Sequence, residues 1–282
     1  MNRAVLALAS ACAAAAAAAA QNPQTTFRTG VEIVELDVSV TRAGVPVAGL
    51  TAADFALADN GVAQDVQSVL LDRLPLSIVL ALDTSSSVSG NRLAHLVQAG
   101  QGLVAALRTD DRAALITFSH AADLRVPMTG AKPVLAAALA GLKGDGATAL
   151  RDAVHLALEI RPRDRTRPLV LVFTDGEDTA SWLTEDAALE TARRAGVVVH
   201  AVTVGADAFL TRLVDASGGR TWSATSDAQL RELFSKALEE MRARYLLSYS
   251  PKGVKAPGWH DLKVRLKSGR ADIAARPGYY VP

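Results

Sequence analysis

Three predominantly apolar runs constrain what this chain can fold into. They occupy residues 76–82, broken only by Ser77, and residues 169–173 and 197–204. Runs of this length are typical of strands buried on both faces of a sheet, because a half-buried strand would alternate apolar and polar residues. Ala- and Leu-rich segments of helical length separate the runs. The sequence therefore predicts an α/β domain at residues 75–243, with a doubly wound, mostly parallel sheet.

The segments on either side of this domain read as β structure. Leu262, Val264 and Leu266 alternate with charged residues, as in a strand with one buried face. Short extended stretches and turns also fill residues 26–74. Neither this segment nor residues 244–282 holds enough strands to be stable alone. We therefore predict that the two combine into one small β-sandwich, which flanks the α/β domain or receives it as an insertion.

The first twenty residues have the features of an export signal. Arg3 is followed by apolar residues and by an alanine tract at 13–20. We expect a cleaved signal peptide at residues 1–20, and hence a periplasmic, secreted or envelope-associated protein. A retained membrane anchor and a lipid attached at Cys12 stay open as alternatives. No later apolar segment is long enough to cross a bilayer, so we expect no transmembrane segment after cleavage.

The charge balance and the cysteine content exclude several classes of protein. The chain has 30 Lys and Arg against 29 Asp and Glu, a net charge of +1. This balance gives no basic surplus for nucleic acid, which we do not expect as a partner. Cys12 is the only cysteine. Once residues 1–20 are removed, the protein would have neither disulfides nor thiol chemistry.

Oxygen-bearing side chains occur where ligands bind in open α/β sheets. Two predicted strands end in polar loops, and a third polar loop opens a helix. The candidate residues in these loops are two carboxylates and three hydroxyls: Asp83, Ser85, Ser87, Thr148 and Asp175. Because the carboxyl ends of parallel strands share one edge, we expect them to meet there. Hard oxygen ligands favour Mg²⁺, Mn²⁺ or Ca²⁺.

The order of these motifs resembles a known family. Asp-x-Ser-x-Ser at 83–87, Gly-x-Thr-x-Leu at 146–150 and Thr-Asp-Gly at 174–176 together resemble the metal-ion-dependent adhesion site of the von Willebrand factor type A family. The resemblance covers most of residues 75–243. It implies a mainly parallel sheet with one antiparallel strand, a metal at its top, and protein ligands that present Asp or Glu. The outer β segments resemble those of bacterial exported proteins that carry such a domain.

Each motif also has a purely structural interpretation. Asp-x-Ser-x-Ser forms common turns, Thr148 could be only a helix cap, and Asp175 could belong to a strand-ending turn. Asp152 is expected to support the loop or the helix start. Trp182 stays open between an exposed contact residue and a lid on the core.

Three functions remain after these considerations. We expect a metal-dependent protein-binding or adhesion module, whose partner offers an Asp or Glu to the ion. A structural part of an envelope assembly, with a metal that only stabilises loops, is the alternative. A metal-dependent hydrolase fits less well, because the hydroxyl-rich set offers no evident general base. We assign no catalytic residue and do not expect an enzyme.

Overall fold

The computed structural model describes residues 33–162, 164–254 and 257–282, so the predicted signal peptide at residues 1–20 lies outside the described residues. The strands are β1 (Val34–Arg42), β2 (Val45–Pro46), β3 (Phe55–Asp59), β4 (Val62–Gln64), β5 (Ser68–Leu71), β6 (Leu76–Asp83), β7 (Arg112–Phe118), β8 (Ala122–Thr129), β9 (Arg167–Thr174), β10 (Val198–Thr203), β11 (Thr221–Ser223), β12 (Tyr245–Tyr249), β13 (Gly258–Leu266), β14 (Asp272–Ala274) and β15 (Gly278–Val281). The helices are α1 (Asn91–Ala106), α2 (Lys132–Ala140), α3 (Leu150–Glu159), α4 (Glu185–Ala195), α5 (Ala208–Ser217) and α6 (Leu230–Arg242).

The apolar runs form the centre of a six-stranded sheet. Its order is β11-β10-β9-β6-β7-β8, and only the β7–β8 pair is antiparallel. Successive side chains of a strand point to opposite faces of the sheet, and helices cover both faces. One face packs against α1, α2 and α6, and the other against α3, α4 and α5. This arrangement explains why the central strands are apolar throughout.

The outer segments form two smaller sheets that share one core. One sheet has the order β14-β1-β12-β5 with β2 beside β1, and the other has the order β15-β13-β3-β4. Residues from before and after the α/β part pair in both sheets. The predicted fold class, a doubly wound, mostly parallel sheet with a small β-sandwich, is confirmed. Within the described residues, no helix has both the length and the apolar character needed to cross a membrane.

A buried carboxylate ties the two sandwich sheets together. Asp59 on β3 accepts hydrogen bonds from the hydroxyls of Tyr249 and Tyr279, at 2.8 and 2.9 Å. Nδ1 of His260 lies 2.9 Å from its other oxygen. Because Tyr249 is on β12 of the opposite sheet, the network crosses the core. A buried carboxylate needs several such partners to offset its desolvation.

A second buried network joins the sandwich to the α/β part. Arg244 is fully buried, and its Nε donates to Glu240 on α6 at 2.8 Å. Nε2 of His200 lies 2.7 Å from the same Glu240 oxygen, Oε2, and Nδ1 of His200 accepts from the backbone N–H of Arg220 at 3.0 Å. His200 is therefore neutral, with its proton on Nε2. Arg220 also donates to Ser39 of β1 at 3.2 Å.

The pKa values of His200 and Glu240 are both lowered in this network. Burial lowers the pKa of His200, since the protonated ring would be desolvated. Burial acts to raise the pKa of Glu240, but the hydrogen bond from His200 and the charge of Arg244 outweigh it and hold that pKa well below its usual range. Both shifts make the unfolded chain bind more protons than the folded one in acid. Stability is therefore lost as pH falls below 6.5 through His200, and below 4.5 through Glu240.

We expect Glu240→Gln to destabilise the protein by about 3–5 kcal/mol, because it leaves the buried Arg244 without its counter-charge. It should also flatten the loss of stability in acid below pH 4.5, where Glu240 of the unfolded wild-type chain takes up a proton that the folded protein does not. Urea unfolding across this pH range measures both effects. Glu239→Gln, an exposed neighbour on the same helix, is the matched control. Equal unfolding free energies for wild type and Glu240→Gln would contradict the assignment.

We propose the domain boundaries 26–74, 75–243 and 244–282, and a fragment of residues 75–243 tests them. It keeps the whole six-stranded sheet and should fold, with native circular dichroism. It should melt below the full chain, because Arg167 loses its ion pair with Asp37 and Arg220 loses Ser39. Each outer segment alone should stay unfolded. A fragment without cooperative unfolding would show that the boundaries are wrong.

Candidate metal centre

The pairing of β6 with β9 places two polar loops side by side. The strands run parallel, with Leu82 opposite Phe173, so their carboxyl ends meet at one edge of the sheet. Strand β6 has β7, the next strand of the chain, on one side and β9 on the other. The strand order therefore reverses its direction at β6 and β9, which makes this edge a topological switch point. Open α/β sheets bind ligands in the crevice at such a point. Asp83 and Asp175 both lie here.

Asp83 is the buried carboxylate of the site. Its side chain accepts the backbone N–H of Ser85 at 2.8 Å and the hydroxyl of Thr174 at 2.5 Å. The residue has no exposed surface. Burial raises its pKa, although these hydrogen bonds oppose the shift, and the nearby charge of Asp175 adds to it. A cation would stabilise this desolvated carboxylate.

The two serines connect the first loop to Asp175. Oγ of Ser85 and Oγ of Ser87 are 3.0 Å apart, and Ser87 donates to Asp175 Oδ1 at 2.7 Å. The local turn that an Asp-x-Ser-x-Ser run can form is present, through the bond from Ser85 N to Asp83. The Ser87 hydroxyl, however, reaches a carboxylate 88 residues away. A local turn alone does not require that contact.

The loop that carries Thr148 packs against the first loop through its backbone. Asp145 N donates to Thr84 O at 2.8 Å, and Ser86 N donates to Gly146 O at 3.0 Å. Gly146 has a φ of +86°, and a Cβ there would lie 2.9 Å from His120, so a larger residue would not fit. The loop is thereby held close to Ser85 and Ser87.

The hydroxyl of Thr148 has no structural task in this arrangement. The residue before α3 is Ala149, and no side chain caps that helix. The residue is 5% exposed, and its hydroxyl makes no hydrogen bond to any residue that the structure describes. The interpretation of Thr148 as a helix cap is therefore wrong. A hydroxyl that no described protein group engages is available to bind a ligand.

Arg92 is a residue of the site that the sequence did not reveal. Its guanidinium forms an ion pair with Asp175 Oδ2, and its Nε donates to Asp227 at 2.8 Å. The Asp175 side chain is only 1% exposed, whereas the Arg92 side chain is 29% exposed, so water reaches the pair only from the arginine side. Arg92 stands in the first turn of α1 without a motif of its own. Only the tertiary structure shows that it neutralises one of the two site carboxylates.

Two acidic residues near the site are structural. Asp178 pairs with Arg151 through Nη2 at 2.8 Å, and it also accepts Ser181 N and Oγ. Asp152 accepts the backbone N–H groups of Trp182 and Leu183, each at 3.0 Å. The expectation that Asp152 supports the loop agrees with these contacts. The neighbouring Glu177 is exposed at the rim.

The oxygen set fits a hard divalent ion. Across the described ranges, no group of three or more His, Cys, Asp or Glu side chains is placed to hold a metal. The site instead combines two carboxylates with hydroxyls, which suits Mg²⁺, Mn²⁺ or Ca²⁺. The partnerless hydroxyl of Thr148 and the buried Asp83 support this fit. Ser85, Ser87 and Asp175 would complete the ligand set.

The fold and the site define an α/β domain with a hydroxyl-rich centre at its switch point. Residues 78–177 match the von Willebrand factor type A domain. The chain therefore contains a domain of this family, which includes all five candidate residues. An uncharacterised protein of Synechocystis, sll0103, is 33% identical over 110 residues, which is 38% of this chain and 26% of that protein. The chain thus matches about a quarter of this curated relative.

Solved structures share the fold at low identity. A von Willebrand factor type A protein from Catenulispora acidiphila has a TM-score of 0.54 at 11% identity and covers 90% of this chain and 74% of its own. Proximal thread matrix protein 1 from mussel byssus, with zinc in its metal-ion-dependent adhesion motif, has a TM-score of 0.55 at 19% identity, over 65% of this chain and 50% of its own.

A third structure is the corresponding domain of the type V pili tip protein Mfa5 from Porphyromonas gingivalis. It has a TM-score of 0.50 at 14% identity, covering 65% of this chain and 98% of its own. These likenesses establish the fold alone.

We expect Arg92→Ala to tighten Mg²⁺ binding several-fold, because it removes a positive charge in contact with Asp175. The same change should lower the melting temperature without metal, since Asp175 then stays buried without a counter-charge. Isothermal calorimetry and thermal unfolding with and without Mg²⁺ measure the two effects. Arg231→Ala, at an exposed arginine on α6, is the matched control. Weaker Mg²⁺ binding in Arg92→Ala would contradict this role.

Proposed function

We propose that this chain is an exported, metal-dependent protein-binding module, not an enzyme. Its metal would be Mg²⁺, or Mn²⁺ or Ca²⁺, bound by Asp83, Ser85, Ser87, Thr148 and Asp175. One observation carries the proposal: Ser85, Ser87 and Asp175 form a continuous row of oxygens beside the buried Asp83. The partner would be a protein that presents an Asp or Glu.

The charges of the site explain why an acidic partner would bind. Asp83 and Asp175 supply two negative charges at most, and Arg92 already offsets part of the charge of Asp175. The hydroxyls add no charge, so a bound dication would retain affinity for an anionic oxygen. Mg²⁺ prefers about six ligands, so five protein side chains at most leave a position for a partner's carboxylate.

The protein groups around the ligands hold them in place. Thr174 and the backbone of Ser85 fix the Asp83 carboxylate, and Ser87 fixes Asp175. Such bonds orient ligands before the ion arrives, which reduces the entropy lost on binding. The site therefore favours recognition of an anionic group by a preformed surface.

Location outside the cytoplasm is a further part of the proposal. It rests on the signal-like composition of residues 1–20. The likeness to a pili tip domain is compatible with it. A structural role in an envelope assembly, with a metal that only stabilises loops, would leave partner capture independent of metal.

We expect Thr148→Ala to weaken Mg²⁺ binding about tenfold while leaving the melting temperature of the metal-free protein unchanged, because its hydroxyl makes no internal hydrogen bond. Removal of a group that only orients a metal ligand commonly lowers metal affinity about 10–100-fold, and we expect the loss of one hydroxyl ligand to fall in this range. Calorimetry with Mg²⁺, Mn²⁺, Ca²⁺ and Zn²⁺ would identify the ion. Thr221→Ala, at an exposed threonine of edge strand β11, is the control. Undiminished binding in both Thr148→Ala and Asp83→Ala would exclude this site.

Partner capture tests the function itself. The full chain is used as bait in envelope extract with Mg²⁺ and again with EDTA, and bound proteins are identified by mass spectrometry. We expect a partner that is lost with EDTA and with Thr148→Ala, and whose binding requires one Asp or Glu of its own. Capture that survives EDTA would favour the structural role.

A further inference from the structure

Trp182 is the most exposed large hydrophobic side chain among the described residues. It is 91% exposed, whereas the next, Val45 on β2 of the sandwich, is 66% exposed. Within the described ranges, the indole has neither a ring contact nor a side-chain hydrogen bond. Trp182 is therefore not a lid on the core, which was one of the two interpretations left open by the sequence.

The loop that carries Trp182 is fixed on both sides of it. Asp178 holds Ser181 through its backbone N–H and its hydroxyl, at 3.1 and 2.5 Å. Asp152 holds the backbone N–H groups of Trp182 and Leu183, each at 3.0 Å. The indole is thus presented to solvent by a braced backbone and not by a mobile loop tip.

The same loop is bonded directly to the candidate metal centre. Thr179 N and Ala180 N donate to the carbonyl of Thr148, at 2.8 and 3.1 Å. Thr148 N donates in turn to the hydroxyl of Thr179 at 3.1 Å. Trp182 follows three residues after Thr179. The loop that carries the exposed indole is therefore hydrogen-bonded directly to the loop that carries the candidate ligand Thr148.

We propose that Trp182 is the hydrophobic anchor of the partner-binding surface, and that the partner carries an aliphatic cluster beside the acidic residue that reaches the metal. This inference rests on the proposed function. Buried tryptophans at the centre of an interface commonly supply much of its binding energy. Because the backbone around Trp182 is already fixed, little conformational entropy is lost when a partner covers the ring.

The surroundings favour a protein over a membrane as the occupant. Glu177 and Asp186, on either side of Trp182 in the sequence, are exposed carboxylates, and Leu183 beside it is half-buried. Membrane-surface segments instead combine several exposed apolar side chains with Lys and Arg, which attract anionic lipids. A single indole between acidic residues suits an aliphatic pocket on a protein.

The test uses random peptides displayed on phage, selected on the full chain with Mg²⁺ and eluted with EDTA. We expect the selected peptides to contain Asp or Glu next to Leu, Ile, Val or Met. Trp182→Ala should weaken their binding about tenfold or more, and Trp182→Phe should weaken it less. Trp259→Ala, at a partly exposed tryptophan on β13, should leave it unchanged. Equal melting temperatures would show that Trp182→Ala is folded.

The outcomes separate this inference from the function on which it rests. Peptides that require Mg²⁺ but bind Trp182→Ala as tightly as wild type would overturn the role of Trp182 and leave the proposed function standing. Recovery of no EDTA-eluted peptide would overturn the proposed function, and the inference with it. Sedimentation with phosphatidylglycerol vesicles that is lost in Trp182→Ala would assign the indole to a membrane and overturn the protein partner.

Discussion

The parallel pairing of β6 with β9 is the constraint on which the site depends. It sets Leu82 opposite Phe173, and the next residues of the two strands, Asp83 and Thr174, are joined by a hydrogen bond of 2.5 Å. A slip of one residue would turn every side chain of β9 to the opposite face of the sheet, and Thr174 would then point away from Asp83. The same register that buries the core therefore brings Asp175 to the serines of the first loop.

Charge balance gives the site its character. Asp83 is buried and Asp175 is almost so, and like charges in such surroundings repel strongly. Arg92 offsets this repulsion at Asp175, while its other contact, Asp227, lies just before α6. One arginine thus links a site carboxylate to the segment that leads into the last helix of the α/β part. Arg92 thus neutralises part of the charge of Asp175, while Asp83 has no ion pair among the described residues.

The sequence predicted those parts of the structure that local pattern determines. Apolar runs predicted the central strands, and the hydroxyl and carboxylate residues that follow them predicted the site. Arg92 escaped prediction because its partners are 83 and 135 residues away and it belongs to no pattern. The role of Trp182 could not be predicted, because its sequence neighbours do not distinguish an indole that covers the core from one that is exposed to a partner. Burial of Arg167 against Asp37 could not be predicted either, because the two residues are 130 positions apart.

The connections between the α/β part and the sandwich explain why the site lies at the end of the sheet that is remote from the sandwich. β5 leads directly into β6, and α6 leads directly into β12. Both junctions lie at the amino end of the central strands: Asp111 accepts Leu76 N at 2.8 Å, and Arg242 at the end of α6 pairs with the same Asp111. The sandwich is bonded there too, through Arg167 at the start of β9. The carboxyl ends of the strands, with Asp83 and Asp175, are at the opposite edge of the sheet, where a partner can approach without displacing the sandwich.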